Sequence, residues 1–304
     1  MKDLLEQNKL ILMEAAIVER LRRSSGIELH PTLVHAPLVY DDSGRGELEQ
    51  IYQSYIDVAR DANKPILLCS PTWRTNHERV VESGIDRNIN VDAVQFLHEI
   101  RDKKGVHKSS IKIGGLIGCK QDCYKPEQGL SQQEAEVFHA WQITELVKAK
   151  IDFLIAETLP NVQEAIGIAN VMARTGLPYI ISFVINRNAQ VLDGTPLLNA
   201  MEELDGSVNN KPLGFMVNCA YPTFLTPALA FSNKETFSRL IGYLANASAL
   251  DHSALDNSNE LHAEDITLWG DEMLKLNRKY GIKILGGCCG TDVGHLRYLV
   301  KNNN

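Results

Sequence analysis

Short runs of continuous apolar residues alternate along this chain with longer stretches in which apolar residues recur every three or four positions. The runs are Leu10–Met13, Pro65–Ser70, Ile111–Gly118, Phe153–Ala156, Tyr179–Val184, Leu213–Val217, Leu240–Leu244 and Ile282–Leu285. A run that is apolar at every position predicts a strand covered on both faces, as in a parallel sheet. The stretches between them predict helices. Leu48, Ile51, Tyr55 and Val58 lie on one face of a helix from Glu47 to Ala62. Further helices are expected around Asn90–Lys103, from Ser131 to about Lys148, from Asn161 to Arg174, from about Ala263 to Tyr280, and from Thr291 or Asp292 onward. Glu134 follows Ser131 at capping-box spacing. Residues 26–46 carry Pro31, Pro37 and an Asp41-Asp42-Ser43-Gly44 turn, so that stretch reads as a loop. Ser248 to Glu260 reads as a polar insertion.

Eight strand-like runs, each followed by helical sequence, predict an α/β chain, either a (β/α)8 TIM barrel or an open doubly wound sheet. Two features favour the barrel, as one domain over residues 1–304. No Gly-x-Gly-x-x-Gly follows the first run. The polar and metal-binding residue types Glu14, Cys69, Glu157, Cys219, Cys288 and Cys289 all fall at the C-terminal ends of different runs. A closed barrel gathers those ends around one mouth, where barrel active sites lie.

Composition then narrows the partners. The 304 residues carry a net charge of −7 with no basic block, which argues against a nucleic-acid surface. No run approaches the length of a membrane span. The polar Met1–Gln7 start does not read as a signal peptide, so a cytoplasmic location is expected. In a reducing compartment six cysteines read as metal ligands, reactive thiols or small apolar residues.

Cys288 and Cys289 are adjacent within Ile284-Leu285-Gly286-Gly287-Cys288-Cys289-Gly290-Thr291. Neighbouring side chains of a strand point to opposite faces, so both thiols serve one site only where the backbone leaves strand geometry; Gly286, Gly287 and Gly290 allow this. Cys219, after Phe215–Asn218, supplies a third thiol. Three thiolates and an open fourth position describe a catalytic Zn2+ site. Such an electron-rich site is a poor activator of water and suits a fourth thiol, held as thiolate to attack an activated carbon. Glu157 and Glu14 are candidate substrate contacts at strand ends. Thr72 and Trp73 are candidate pocket residues after the second strand, Trp73 as a partner for a cationic methyl donor. Cys69 reads as a buried filler, Cys119 and Cys123 as loop thiols, and His295 as solvent-facing; no histidine is assigned to metal.

The hexapeptide Gly286–Thr291 with Asn218-Cys219 upstream resembles the zinc-dependent homocysteine S-methyltransferase family, and so do Phe153–Asn161, Ile180-Ile181-Ser182-Phe183 and Asn246-Ala247-Ser248. The resemblance implies a zinc-bearing barrel with Cys219, Cys288 and Cys289 as ligands, and Glu157 on the amino group of homocysteine. It implies an enzyme that makes methionine from a small thiol and a small methyl donor, a sulfonium being favoured because no second domain is present for a larger cofactor. The first strand departs from the pattern. The family's Asp-Gly-Gly/Ala-x-Gly-Thr is here Glu14-Ala15-Ala16-Ile17-Val18-Glu19. The alternatives are therefore a methyltransferase for another thiol or selenol, and a subunit served by a separate corrinoid methyl carrier.

Overall fold

The computed structural model describes residues 1–230, 234–251 and 262–303. Eight parallel strands close into a barrel in sequential order: β1 Ile11–Met13, β2 Ile66–Cys69, β3 Ile111–Ile117, β4 Phe153–Leu159, β5 Tyr179–Phe183, β6 Gly214–Ala220, β7 Leu240–Ala245 and β8 Ile284–Gly287. β8 pairs with β7 and with β1, so the (β/α)8 barrel is complete and has no sheet edge. Alternate strand residues fill the lumen, among them Met13, Leu67, Phe153, Ile180, Met216 and Ile284. A short helix, Lys2–Gln7, packs Leu4 and Leu5 on this inner cluster, and Lys283 Nζ donates to the Leu5 carbonyl at 2.6 Å. The outward residues meet the surrounding helices in one large apolar shell.

The helices begin where the capping chemistry puts them. Ser131 and Glu134 form a reciprocal capping box on the helix Gln132–Lys148. Asn161 caps Val162–Arg174, and Asp292 caps Val293–Asn302. Three departures from the sequence reading are local. Asp41 accepts from Gly44 N at 2.6 Å, so the supposed Asp-Asp-Ser-Gly turn is the first turn of the helix Asp42–Asp61. The helix His77–Ser83 buries no side chain and so has no apolar stripe to read. The helix Leu197–Ser207 follows β5 where none was assigned. Most of the Ser248–Glu260 insertion lies outside the described residues. No described helix is long and apolar enough to cross a membrane.

Candidate metal and substrate site

The C-terminal ends of β4 and β6 leave ideal strand geometry at the same level. The β4–β5 register shifts between Ala156 and Leu159, and the β6–β7 register shifts between Asn218 and Ala220. Thr158 (φ 58°) and Cys219 (φ 53°) sit inside these irregularities in the left-handed region that non-glycine residues avoid. A bulge re-aims the next side chain, and a cost of order 1–3 kcal/mol persists only where the surroundings hold it. Here Asn218 does the holding. Its Oδ1 accepts from Thr158 N at 2.9 Å and from Ser182 Oγ at 2.7 Å, and its Nδ2 donates to Thr158 Oγ1 at 2.7 Å and to Cys219 Sγ at 3.4 Å. Three strands are thus tied through one buried amide. Asn246, at the end of β7, donates to the Cys219 carbonyl at 3.0 Å.

The β8 turn is fixed by its backbone. Cys288 N donates to Ala245 O at 2.8 Å, Ala247 N donates to Cys289 O at 2.8 Å, and Thr291 Oγ1 donates to Cys288 O at 2.6 Å. The glycines divide two tasks expected of them jointly. Gly286 is there for close approach, since a Cβ would stand 2.7 Å from the Glu14 carbonyl oxygen of β1. Gly290 supplies the left-handed residue, at φ 80°, that turns the chain after the two cysteines.

These turns bring Cys219, Cys288 and Cys289 together, with their sulfurs within 4.8 Å of one another. The Cys219 and Cys288 sulfurs are in direct contact, with their Cα atoms 5.4 Å apart, and Cys289 stands beside them. A tetrahedral zinc with Zn–S bonds of about 2.3 Å needs sulfurs about 3.8 Å apart, so small side-chain rotations suffice. Cys219 is buried, whereas Cys288 and Cys289 are partly open to the mouth. Burial pushes the Cys289 thiol up to about 12, and the nearby Glu19 carboxylate adds to this. A divalent cation reverses that preference by holding thiolates, so the donor set fits zinc chemically and geometrically. The same three sulfurs serve a metal only as thiolates, not joined as a disulfide.

Facing the thiols is an acid pair. Burial raises the Glu14 carboxyl to about 7, and burial together with the Glu14 charge raises Glu157 to about 8. Glu14 accepts from Cys69 N at 2.9 and 3.1 Å, and Cys69 Sγ lies 3.9 Å from Glu157 Oε1. Cys69 is therefore more than filler: its amide and thiol join the two acids. No cation lies within 4.0 Å of either acid among the described residues. A cation arriving between two such carboxyls lowers the pH at which both ionise.

Glu14, Trp73 and Glu157 line one cavity of about 580 Å³ with the three cysteines. Thr72 does not line it. Its hydroxyl is fully buried and spent on Leu116 O at 2.7 Å and Ser70 Oγ at 2.7 Å, so Thr72 stitches β2 to β3. Trp73 borders the cavity, but the Arg74 guanidinium lies over its ring at 4.1 Å to the centroid. His295 is buried rather than solvent-facing, pairing with Asp292 at 3.0 Å and packing edge-on to Trp269. Cys119 and Cys123 are both buried, and Cys123 reaches the cavity wall. Sequence reasoning missed Asn218 as an organiser and Glu19 as a site residue. Glu19 Oε2 accepts from Gly290 N, crossing from the β1 loop to the cysteine turn. A polar residue beside a strand-end ligand was the available signal for Asn218; only the closed barrel reveals Glu19.

Known proteins resemble this chain over nearly its whole length. The family model for homocysteine S-methyltransferase matches residues 7–302. The homocysteine S-methyltransferase YbgG of Bacillus subtilis is 22% identical over 307 aligned positions, covering 95% of this chain and 93% of that protein. The Escherichia coli homocysteine S-methyltransferase is 28% identical over 55% of this chain and 53% of its own length. The metallated crystal form of the Escherichia coli homocysteine methyltransferase MmuM superposes with a TM-score of 0.76 at 18% identity, covering 99% of this chain and 98% of that one, which supports the fold. With the family match spanning nearly the whole chain, this protein is an S-methyltransferase belonging to the homocysteine S-methyltransferase family.

Proposed function

We propose that this enzyme transfers a methyl group from a small sulfonium donor to the thiol of homocysteine, giving methionine, with zinc held by Cys219, Cys288 and Cys289. The observation that carries this reading is that three clustered thiols and two acids without a cation partner among the described residues line one cavity. Bound zinc would supply a Lewis-acidic anchor that keeps a substrate thiol deprotonated near neutral pH. The chain's own residues do the rest. Glu157 and Glu14, ionised on binding, hold the substrate ammonium and so point its thiol toward the cysteines. Asn218 and Asn246 keep Cys219 in its left-handed backbone. The substrate sulfur attacks the methyl carbon, the new S–C bond forms as the donor S–C bond breaks, and the electron pair leaves with the donor sulfur as a neutral thioether. The metallated form of MmuM supports the metal assignment by analogy.

A second reading, another thiol or selenol as acceptor, draws on the β1 loop, whose Ala16, Val18 and Glu19 line the cavity where the family carries small residues. One assay separates the readings: zinc-loaded enzyme with homocysteine and a panel of methyl donors, methionine being measured by mass spectrometry. About one zinc per chain and methionine from a sulfonium donor are expected. Turnover by metal-free enzyme, or a preferred acceptor other than homocysteine, would overturn the proposal.

A further inference from the structure

Six non-glycine residues hold a left-handed backbone among the described residues: Val34, Asn63, Lys150, Thr158, Ala189 and Cys219. Val34, Thr158 and Cys219 all line the cavity that holds the thiols. Thr158 and Cys219 owe their shape to the strand-end irregularities that build the thiol site. Val34, at φ 56°, lies on no strand, and a branched side chain is poorly suited to that region because its Cβ crowds the neighbouring carbonyl.

A closed turn holds Val34 there. His30 N donates to Val34 O and Val34 N donates to His30 O, both at 2.9 Å. Inside the turn His30 Nδ1 accepts from Thr32 N at 3.1 Å and from Leu33 N at 3.2 Å. Arg79 Nη1 donates to Thr32 O at 3.1 Å and so ties the turn to the helix His77–Ser83. Pro31, His35 and Arg79 line the cavity beside Val34.

The strained valine gives the core nothing in return. Leu33 and Ala36 on either side are buried in a small apolar cluster with Ile89. Val34 is half-buried and packs in none of the apolar clusters of the described residues. Strain that persists without a packing benefit, at the wall of a site, points to what that site admits. Position points to the substrate concerned. On the proposed reading the acceptor occupies the floor made by the strand ends, between the thiols and the acids. Val34 comes instead from the segment connecting the helices Val18–Arg23 and Asp42–Asp61, beyond the strand ends, where the donor must lie.

We infer that Val34 sets the size of the methyl donor. Its branched side chain, fixed by the His30 turn, narrows the donor space so that a sulfonium with small alkyl groups fits and one with a bulky substituent is turned away. This rests on the methyl-transfer reading proposed above and adds the residue that selects the donor.

The test uses zinc-loaded wild type, Val34→Gly, Val34→Ala and Val34→Ile. Each receives homocysteine with S-methylmethionine as the small donor or S-adenosylmethionine as the bulky one, and methionine is measured by mass spectrometry. The ratio of kcat/KM for the small donor over the bulky one is expected to fall about tenfold in Val34→Gly, the worth of the lost methyl groups in an apolar pocket. It should fall less in Val34→Ala and rise in Val34→Ile. Zinc content and the KM for homocysteine should stay as in wild type. The melting temperature of Val34→Gly should be no lower than that of wild type, because glycine adopts the left-handed backbone without crowding; a packing role would lower it. A donor ratio unchanged across the series overturns the inference, and so does a Val34→Gly enzyme that still refuses the bulky donor. A raised KM for homocysteine with a constant donor ratio would move Val34 to the acceptor and overturn the donor assignment. Failure of the methyl-transfer reading shows separately, as a wild type that makes no methionine from either donor.

Discussion

The β4–β6–β8 side of the mouth and the β1 side hold the same cavity in opposite ways. On the first, positions are set by main chain. Two register irregularities, two left-handed residues and the Asn218 bridges place Cys219, and a backbone-bonded turn places Cys288 and Cys289. On the second, positions are set by side chains. Glu14 hangs on one amide, and Glu19 spans the gap to Gly290. The first side tolerates little change, because each cysteine depends on a backbone shape shared by several strands. The second can change residue by residue while the barrel stays intact. On the proposed reading, reaction type would belong to the rigid side and acceptor choice to the adjustable one.

The largest effect expected to test that division is on the rigid side. Cys219→Ser or Cys289→Ser should drop zinc to well below one per chain and cut turnover by about a thousandfold or more, as loss of a primary metal ligand does; near-normal zinc by atomic emission would show that the sulfurs are not the ligands. Next is Asn218→Ala, which strands Thr158 N and Ser182 Oγ. It should cost about 3 kcal/mol in denaturant unfolding and weaken the metal together with stability. A variant as stable as wild type would mean that the β4–β6 wall holds itself. Glu157→Gln should keep zinc but lower kcat/KM for an amino-thiol by about a hundredfold, the worth of a charged hydrogen bond in a buried site.

The acids also fix a pH signature. Glu14 and Glu157 must ionise to hold an ammonium, so the KM for homocysteine should fall as pH rises through about 7 to 8. Without ligand the sign reverses for stability. Both carboxyls are raised above their ordinary value of 4.5, so their contribution is full below that value and is lost as pH rises to about 8. The melting temperature of ligand-free wild type should therefore fall across that window more than that of Glu157→Gln; parallel curves would remove the acid pair from the account. The smallest effect is expected from Glu19→Thr on the adjustable side. Zinc should remain, while the preference between homocysteine and its selenol counterpart shifts by less than about tenfold. Loss of zinc there would make Glu19 part of the rigid wall.

Sequence and structure agree most closely where one physical signal dominates. The strands were legible because burial on both faces leaves no polar position in Ile66–Cys69 or Phe153–Ala156. Cys288 and Cys289 were legible because paired thiols among glycines have few other uses. The helix His77–Ser83 was hidden because it buries nothing, and the helix at Asp42 because its first turn reads as a loop. Thr72 was misplaced because a strand-end hydroxyl looks the same in sequence whether it meets substrate or, as here, Leu116 O. Arg79, His35 and Glu19 were invisible as a set. Arg79 and Glu19 lie on separate short helices and His35 on a connecting segment, and only closure of the barrel brings them to one cavity.

That β8 pairs with both β7 and β1 has a consequence for biosynthesis. Synthesis runs from the N-terminus, so Cys219 is made before Cys288 and Cys289, and the three sulfurs meet only once β8 docks. A single thiol is a weak metal ligand, so the nascent chain has no competent site until its last strand docks. On the proposed metal assignment, capture of the ion and closure of the ring would be one event. If these cysteines hold zinc as proposed, an unclosed barrel would have no complete place for the ion, and the ion would in turn favour the closed ring.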